Sequence, residues 1–168
     1  ILQVDQLTKK IKGMPIIQDV SFKLDEGQIV GLVGANGAGK TTLMKVILGL
    51  SNYQDGSFEI RANTNNKSNT GALIESPGVY PFLTGYDNLK LLCESKDKNA
   101  IDDIVKKLKM DRYIHKKAKT YSLGMKQKLG IAIAFLNHPQ LIVLDEPMNG
   151  LDPKAVRDVR ELIVETAK

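Results

Sequence analysis

The sequence predicts an α/β fold in which a sheet-forming part is interrupted by a block of helices. Three observations carry this prediction. Polar and apolar residues alternate near the start of the chain, an apolar run at Ile29–Val33 leads into a glycine-rich loop and a helix, and the middle of the chain has helical spacing without strands. We therefore expect a mixed sheet, an antiparallel β flap at the N-terminal side and an α-helical insert.

The first fifty residues predict strands followed by one helix. Leu2–Val4 and Ile17–Leu24 alternate with period two, which is typical of strands with one buried face. Ile29–Val33 is continuously apolar and predicts a buried strand of the parallel type. Lys40–Leu50 has apolar residues at helical spacing, so the order is strand, glycine loop and helix.

Short strands and the first helix of the insert are predicted next. Ser57–Ile60 and Ala72–Ile74 read as strands, and the polar stretch Asn63–Thr70 between them reads as a loop. Thr84–Asp87 has the spacing of a helix capping box and precedes a leucine-rich segment.

The second half of the chain predicts three further helices and one strand. Asn99–Leu108 repeats apolar residues at three and four positions, and Ser122–Leu136 predicts another helix. Leu141–Leu144 is an apolar strand, and Asp152-Pro153 offers an N-cap followed by proline at the first helical position. We therefore expect a core lobe formed by residues 1–75 and 139–168, with the helical insert at residues 76–138.

Length and composition set the broad class. The chain has 168 residues with 42% hydrophobic side chains, which is enough for an ordinary globular domain. It begins without methionine and stops within a predicted helix, so we expect it to be cut at both ends. No secretory leader or apolar run of about 20 residues is present, and we expect a soluble protein.

Charge and cysteine content indicate which partner and which redox compartment to expect. The formal net charge is +5, but the lysines are scattered and no basic stripe interleaved with aromatics appears, so nucleic acid is not the expected partner. Cys93 is the only cysteine and is expected to be a small apolar residue in a reducing, cytoplasmic setting.

A phosphate-binding loop follows the predicted strand at Ile29–Val33. Residues 34–41 fit the pattern G-x-x-x-x-G-K-[ST] between a strand and a helix. Backbone N–H groups and the helix N-terminus attract phosphate, Lys40 reaches the β- and γ-phosphates during catalysis, and the Thr41 hydroxyl binds Mg²⁺. The predicted nucleotide contacts are Gly34, Ala35, Asn36, Gly37, Ala38, Gly39, Lys40, Thr41 and Thr42.

Two adjacent carboxylates follow the last predicted strand. Asp145 is placed to hold the Mg²⁺ shell, and Glu146 to orient and polarise a water for attack on the γ-phosphate. A GTPase would carry Asp-x-x-Gly and a guanine-reading motif, but Met148 stands three residues after Asp145. The pair therefore favours ATP hydrolysis.

Residues Tyr121–Leu129 resemble the signature motif of ATP-binding cassette (ABC) transporter ATPases. This segment precedes Asp145, as in that family, and Asn149–Asp152 is similar to the family's D-loop. The resemblance covers essentially the whole chain. It implies a P-loop NTPase fold of the ABC type that binds ATP and Mg²⁺ and hydrolyses ATP.

The resemblance also implies a head-to-tail dimer, formed with a second copy or with a paralogous ATPase subunit. Each phosphate loop then faces the signature of its partner across an ATP, with Ser122, Gly124 and Asp152 at the nucleotide. A serine hydroxyl, a glycine backbone and a helix N-terminus suit an anion.

Several positions depart from the general family pattern. Leu123 replaces a signature glycine, Met125 a glutamine, and Glu75 stands where most members have the Q-loop glutamine. With the surrounding Leu-Ile-Glu-Ser-Pro and Tyr-Ser-Leu-Gly-Met-Lys-Gln-Lys segments, this resembles the subgroup that serves bacitracin and lantibiotic export or self-immunity. The resemblance implies that Glu75 takes part in catalysis and in Mg²⁺ binding.

Two elements of the family are altered or absent. The position that usually stacks on adenine falls at Ile11, so the contact there is apolar, with Met14 or Pro15 beside it. The family's switch histidine lies on a strand after the helix that begins at Pro153, and no histidine follows Asp145. We expect this chain to lack that strand, and the phosphate-loop strand to lack one sheet neighbour.

The predicted function is that of the ATP-hydrolysing subunit of an ABC exporter of antimicrobial peptides, located at the inner face of the cell membrane through a separate permease. The insert and the loop from Glu75 to Leu83 would form the docking surface, with apolar contacts from Pro77, Tyr80, Pro81 and Phe82. Two alternatives remain open: a soluble ABC-type ATPase acting on ribosomes or DNA, and a nucleotide-binding module with little turnover.

Overall fold

A computed structural model describes residues 1–61 and 70–168 as two compact units. The first unit takes in residues 1–61 with Ala167, and the second takes in residues 70–166 with Lys168. Together they have the mixed α/β composition that the sequence predicts. The division into a core lobe and an insert at residues 76–138 stays a prediction.

The first unit is built on an antiparallel three-stranded sheet of order β2-β1-β3. Its strands are β1 (Leu2–Ile11), β2 (Met14–Leu24) and β3 (Asp55–Ile60). Lys12 and Gly13, both with positive φ, form the tight turn between β1 and β2. The predicted antiparallel flap is therefore confirmed.

Within residues 1–61, one helix accompanies this sheet, α1 (Lys40–Ile47). Its buried residues are Leu43, Val46 and Ile47, which share one face at helical spacing. The helix begins where the sequence predicts and ends three residues earlier than predicted.

The predicted buried strand at Ile29–Val33 is wrong. These residues are not in a strand, and the side chain of Val33 is 93% exposed. A strand exists only where a neighbouring backbone accepts and donates its hydrogen bonds. In the part of the chain that the structure describes, the strands pair only with one another, so this run has no pairing strand.

The second unit contains a two-stranded parallel sheet and four α-helices among its described residues. The strands are β4 (Thr70–Leu73) and β5 (Leu141–Leu144), paired in the register Leu73 to Leu144. The helices are α2 (Gly85–Leu92), α3 (Lys98–Lys107), α4 (Leu123–Phe135) and α5 (Pro153–Thr166). The predicted loop Asn63–Thr70 lies outside the described residues apart from Thr70, which begins β4.

Glycines let α4 approach the parallel sheet closely. A Cβ on Gly71 of β4 would collide with the Ala134 carbonyl of α4, and a Cβ on Gly130 would lie 2.8 Å from Pro77. The core of this unit includes Leu73, Leu89 and Leu129, all nearly inaccessible to solvent. Cys93 is also buried, as predicted.

Helix α3 and the cap of α2 agree with the sequence patterns. The buried residues of α3, Ile101, Ile104 and Val105, follow the predicted spacing. Thr84 accepts a hydrogen bond from the Asp87 N–H at 3.0 Å and donates its hydroxyl to the Asp87 carboxylate at 2.7 Å. Among the helices of residues 1–61 and 70–168, none is both long and apolar enough to span a membrane.

Candidate nucleotide site

The phosphate loop of the first unit has the backbone that its glycines predict. Gly37 and Gly39 have φ of 82° and 91°, in the left-handed region that favours glycine. The Ala38 N–H donates to the Ala35 carbonyl at 3.1 Å, and α1 begins at Lys40 with no acidic residue in its first turn. The loop therefore ends at a helix N-terminus, where N–H groups and the helix dipole attract anions.

Gly39 is required for a second reason. A Cβ at this position would lie 2.7 Å from the carbonyl oxygen of Ile16 on β2. Backbone atoms of the flap thus occupy the space that a side chain would need, which fixes the start of α1 against β2.

The ammonium group of Lys40 points back over the loop. It donates hydrogen bonds to the carbonyls of Gly34 at 2.7 Å and Ala35 at 2.9 Å. The loop backbone thus holds a cationic group where the sequence predicts phosphate contacts.

In the second unit, the predicted carboxylates lie at one edge of the parallel sheet. Asp145 and Glu146 directly follow β5, and Glu75 follows β4 by two residues. The Asp145 N–H donates to the Leu73 carbonyl at 2.8 Å, which extends the pairing of the two strands to this edge. The parallel register therefore brings these three residues to the same end of the sheet.

This edge has an unusual backbone. Glu75 and Glu146 both have positive φ, 59° and 46°, which residues with a Cβ rarely adopt. Glu146 is exposed and Asp145 half-buried. Strained backbone of this kind occurs where the surrounding structure holds it, often at functional sites.

Two amide side chains hold the Glu146 turn; they lie in the D-loop and signature segments, but the sequence assigns neither of them a role at Glu146. Asn149 Nδ2 donates to the Glu146 carboxylate at 3.0 Å. Gln127 Nε2, on α4, donates to the carbonyls of Glu146 at 3.3 Å and Pro147 at 3.1 Å. The signal for Gln127 is weak, because it stands between Lys126 and Lys128 and nothing in the sequence marks it as the buried member of this polar stretch.

The signature segment forms the start of α4. Ser122 is the N-cap, and its hydroxyl accepts from the Met125 N–H at 3.2 Å. The preceding Tyr121 is buried, and its hydroxyl donates to the Tyr113 carbonyl at 2.9 Å. Burial raises the pKa of the Tyr121 phenol, so it stays a neutral donor that anchors the helix start.

The D-loop segment lies against the signature. A Cβ on Gly124 would come within 2.8 Å of the Gly150 carbonyl, so the two backbones are in close contact. Asp152 caps α5 by accepting from the Ala155 N–H at 2.9 Å. That hydrogen bond, with the N–H of Lys154 and the charges of Lys128 and Lys154, holds the pKa of Asp152 below its usual value.

The carboxylates at the sheet edge suit a hard cation whose other ligands are not protein groups. The described residues contain no group of three or more His, Cys, Asp and Glu able to hold a metal by themselves. Mg²⁺ usually takes one or two carboxylates and fills its shell with water and phosphate oxygens. Asp145 and Glu75 therefore fit Mg²⁺ bound together with a nucleotide.

The predicted site residues are divided between the two compact units. Glu75, Ser122, Gly124, Asp145, Glu146 and Asp152 belong to the second unit. Residues 34–42 belong to the first unit, as does Ile11, which pairs with Met14 beside the hairpin turn and is 45% exposed.

The predicted docking loop is apolar, exposed and held in place. Tyr80 and Phe82 are 52% and 77% exposed. The fully buried Asn88 accepts from the Tyr80 N–H at 2.7 Å and donates to the Tyr80 carbonyl at 3.1 Å and the Thr84 carbonyl at 2.8 Å. A buried amide thus fixes the backbone of a loop whose aromatic side chains face solvent.

Comparison with curated proteins finds relatives over nearly the whole chain. The Uncharacterized ABC transporter ATP-binding protein YdbJ of Bacillus subtilis (strain 168) is 43% identical over 100% of this chain and 58% of its own length. The Bacitracin transport ATP-binding protein BcrA of Enterococcus faecalis is 37% identical over 97% of this chain and 56% of its own. The Lantibiotic transport ATP-binding protein SrtF of Streptococcus pyogenes is 37% identical over 97% of this chain and 73% of its own length. The chain thus spans 58% of YdbJ and 56% of BcrA.

Solved structures give the same result. A structure described as the ATP binding subunit of an ABC transporter has a TM-score of 0.88 and 30% identity, over 99% of this chain and 75% of that one. A dimeric ATP-binding cassette bound to ADP and Pi has a TM-score of 0.87 at 22% identity, over 100% of this chain and 83% of that one, which shows the shared fold. The family model for ABC transporter matches residues 17–149. The chain with its phosphate loop, paired carboxylates and signature helix therefore belongs to the ABC transporter family.

Proposed function

We propose that the chain is the ATP-binding and ATP-hydrolysing part of an ABC transporter subunit, and that the transporter exports antimicrobial peptides of the bacitracin or lantibiotic type. The observation that carries the hydrolytic part is Glu146, an exposed carboxylate held by Asn149 in a strained turn directly after Asp145. The substrate class is supported by the names of BcrA and SrtF, two relatives at 37% identity.

ATP phosphates bind the loop at residues 34–42 in this proposal. Their oxygens replace the Gly34 and Ala35 carbonyls as acceptors for the Lys40 ammonium. Thr41, Asp145 and Glu75 hold Mg²⁺, which neutralises phosphate charge when bound. Ile11 supplies an apolar contact for the adenine.

Glu146 then acts as the general base. Its carboxylate accepts a proton from the water that attacks the γ-phosphorus, the bond to the β-phosphate oxygen breaks, and ADP and inorganic phosphate leave. The Asn149 amide keeps one carboxylate oxygen in a hydrogen bond, so the carboxylate is oriented before the water arrives.

Two copies, or this chain and a paralogue, bind ATP between them. Ser122, Gly124 and Asp152 of one subunit contact the nucleotide held by the other subunit's phosphate loop. The exposed Ser122 hydroxyl at the start of a 13-residue helix supports this role. The core lobe at residues 1–75 and 139–168 carries the phosphate loop, and the insert at residues 76–138 carries the signature.

A separate permease docks on the insert and on the loop that follows Glu75, which places the subunit at the inner face of the membrane. Exposed Tyr80 and Phe82 on a loop fixed by Asn88 support this surface. We expect Tyr80→Ser with Phe82→Ser to abolish co-purification with the permease, because two aromatic anchors are removed. Val164→Ser, at an exposed apolar residue of α5, is the control and keeps the complex. Undiminished capture of the permease by the double variant would contradict this surface.

The hydrolytic role is tested by comparing single-turnover ATP hydrolysis in the wild type and in Glu146→Gln. The amide cannot accept the proton, so we expect the rate to fall by ~100-fold or more while ATP affinity is kept. Glu161→Gln on α5 is the control and retains the wild-type rate. Equal rates for wild type and Glu146→Gln would show a nucleotide-binding module instead of an ATPase.

A further inference from the structure

The turn that carries Glu146 is held from outside by one helix. Glu146 has φ of 46°, and the Asn149 N–H donates to its carbonyl at 3.0 Å to close the turn. The Asn149 side-chain amide adds a second local bond, to the Glu146 carboxylate at 3.0 Å. A residue with a Cβ persists in the left-handed region where the surrounding structure also holds it. Helix α4 supplies further hydrogen bonds to this turn.

Gln127 supplies these hydrogen bonds. Its amide nitrogen carries two hydrogens and donates to both the Glu146 and the Pro147 carbonyls, at 3.3 and 3.1 Å. Gln127 is only 6% exposed, so its side chain is held in place by the surrounding protein. It therefore fixes two successive peptide groups at the point where the backbone turns.

The same face of α4 touches the other end of the turn. Gly124 lies against the Gly150 carbonyl, and a Cβ on Gly150 would meet the Leu123 side chain at 2.8 Å. The first two turns of α4 thus cover the segment from Glu146 to Gly150 on one side.

We infer that Gln127 is a positioning residue that sets the catalytic geometry of Glu146 and couples it to the signature helix of the same subunit. This inference rests on the proposed role of Glu146 as general base. Ser122 begins the helix that Gln127 belongs to, and it contacts the ATP of the partner in the proposed dimer. A shift of α4 at that contact would therefore reach Glu146 through the Gln127 amide.

Gln127→Met tests the inference in the complete protein. Methionine has nearly the same length and volume but no donor, so both carbonyls lose their partner. We expect kcat for ATP to fall by ~10- to 100-fold with KM within about twofold of wild type, because orientation of the base is lost while binding is kept. Amide hydrogen exchange at Asn149 is expected to rise, because the turn opens more often.

Asn137→Leu is the matched control. Asn137 lies two residues beyond the C-terminal end of α4, and its side-chain amide donates to the Leu92 carbonyl at 3.0 Å and accepts from the Glu94 N–H at 3.1 Å. Its loss removes amide hydrogen bonds of the same kind just beyond the C-terminal end of α4, but kcat and the exchange of Asn149 are expected to stay at wild-type values. A structural role alone would give the two variants the same behaviour.

Other outcomes separate the possible failures. Wild-type kcat or unchanged Asn149 exchange in Gln127→Met overturns the inference, whereas wild-type turnover in Glu146→Gln overturns the proposed function itself. Should Gln127→Met not fold, Gln127→Asn takes its place: the amide is kept but is one methylene too short to reach both carbonyls. It is expected to lose kcat in the same way, and wild-type kcat in that variant also overturns the inference.

Discussion

Individual residues whose partners are local were predictable from sequence. Thr84, Ser122 and Asp152 cap their helices through atoms three residues away, so the pattern of a cap followed by a helix is sufficient. Gln127 was not predictable in its role, because its acceptors lie 19 and 20 residues further along the chain. Only the packing of α4 against the Glu146 turn creates that contact.

Gly39 shows how one residue joins loop conformation to packing. Gly39→Ala is expected to lower the free energy of unfolding by more than the ~1–2 kcal/mol cost of a left-handed alanine, because the Ile16 carbonyl must also move. ATP affinity is expected to fall with it, since α1 loses its position. Urea unfolding and titration with a fluorescent ATP analogue measure both effects.

Gly13→Ala is the control for Gly39. Gly13 has a similar φ of 81°, but a Cβ added there would have no other atom within 4 Å. It is expected to show only the conformational cost and to keep ATP affinity. Equal losses of stability and unchanged ATP affinity in the two variants would refute the packing argument.

At the level of elements, helices were predicted better than the buried strand. The bounds of β5 match the prediction, and those of α3 and α4 differ from it by one residue at each end, because apolar spacing and caps are properties of the segment itself. The Ile29–Val33 prediction failed because a strand depends on partners from elsewhere in the chain. Its apolar run indicates burial but does not provide the neighbouring strand.

The N-terminus of α5 should respond to pH through Asp152. Its pKa is held below the ordinary value of about 3.9, so its charged form stabilises the fold above that pH, and the stabilisation is lost as pH falls through the lowered pKa. We expect the melting temperature of wild type to exceed that of Asp152→Asn near neutral pH without nucleotide. Asparagine keeps the cap but not the charge.

The test for Asp152 is how the difference in melting temperature between wild type and Asp152→Asn changes with pH. This difference should shrink when thermal melts are repeated below about pH 4, where the carboxylate becomes protonated. If the difference in melting temperature is the same at every pH, the charge of Asp152 does not stabilise α5.

Across the whole chain, the order of the motifs was sufficient to predict the family. The division of the described residues into two units could not be predicted from the sequence. Phosphate loop, signature, paired carboxylates and D-loop occur in sequence in the order that the resemblance requires. The extent of each compact unit depends instead on contacts between distant residues, such as the pairing of β4 with β5. Periodicity within a segment carries no information about such contacts.

As the proposed base of an ATPase, Glu146 should be dispensable for ATP binding, so the protein should retain intact ATP once this carboxylate is replaced. The most direct measurement is the identity of the nucleotide that remains bound to Glu146→Gln after incubation with Mg²⁺ and doubly labelled ATP, followed by rapid gel filtration. We predict that the variant elutes as a dimer with intact ATP, whereas wild type carries ADP or no nucleotide. Recovery of ADP from Glu146→Gln at the wild-type proportion would contradict the claim.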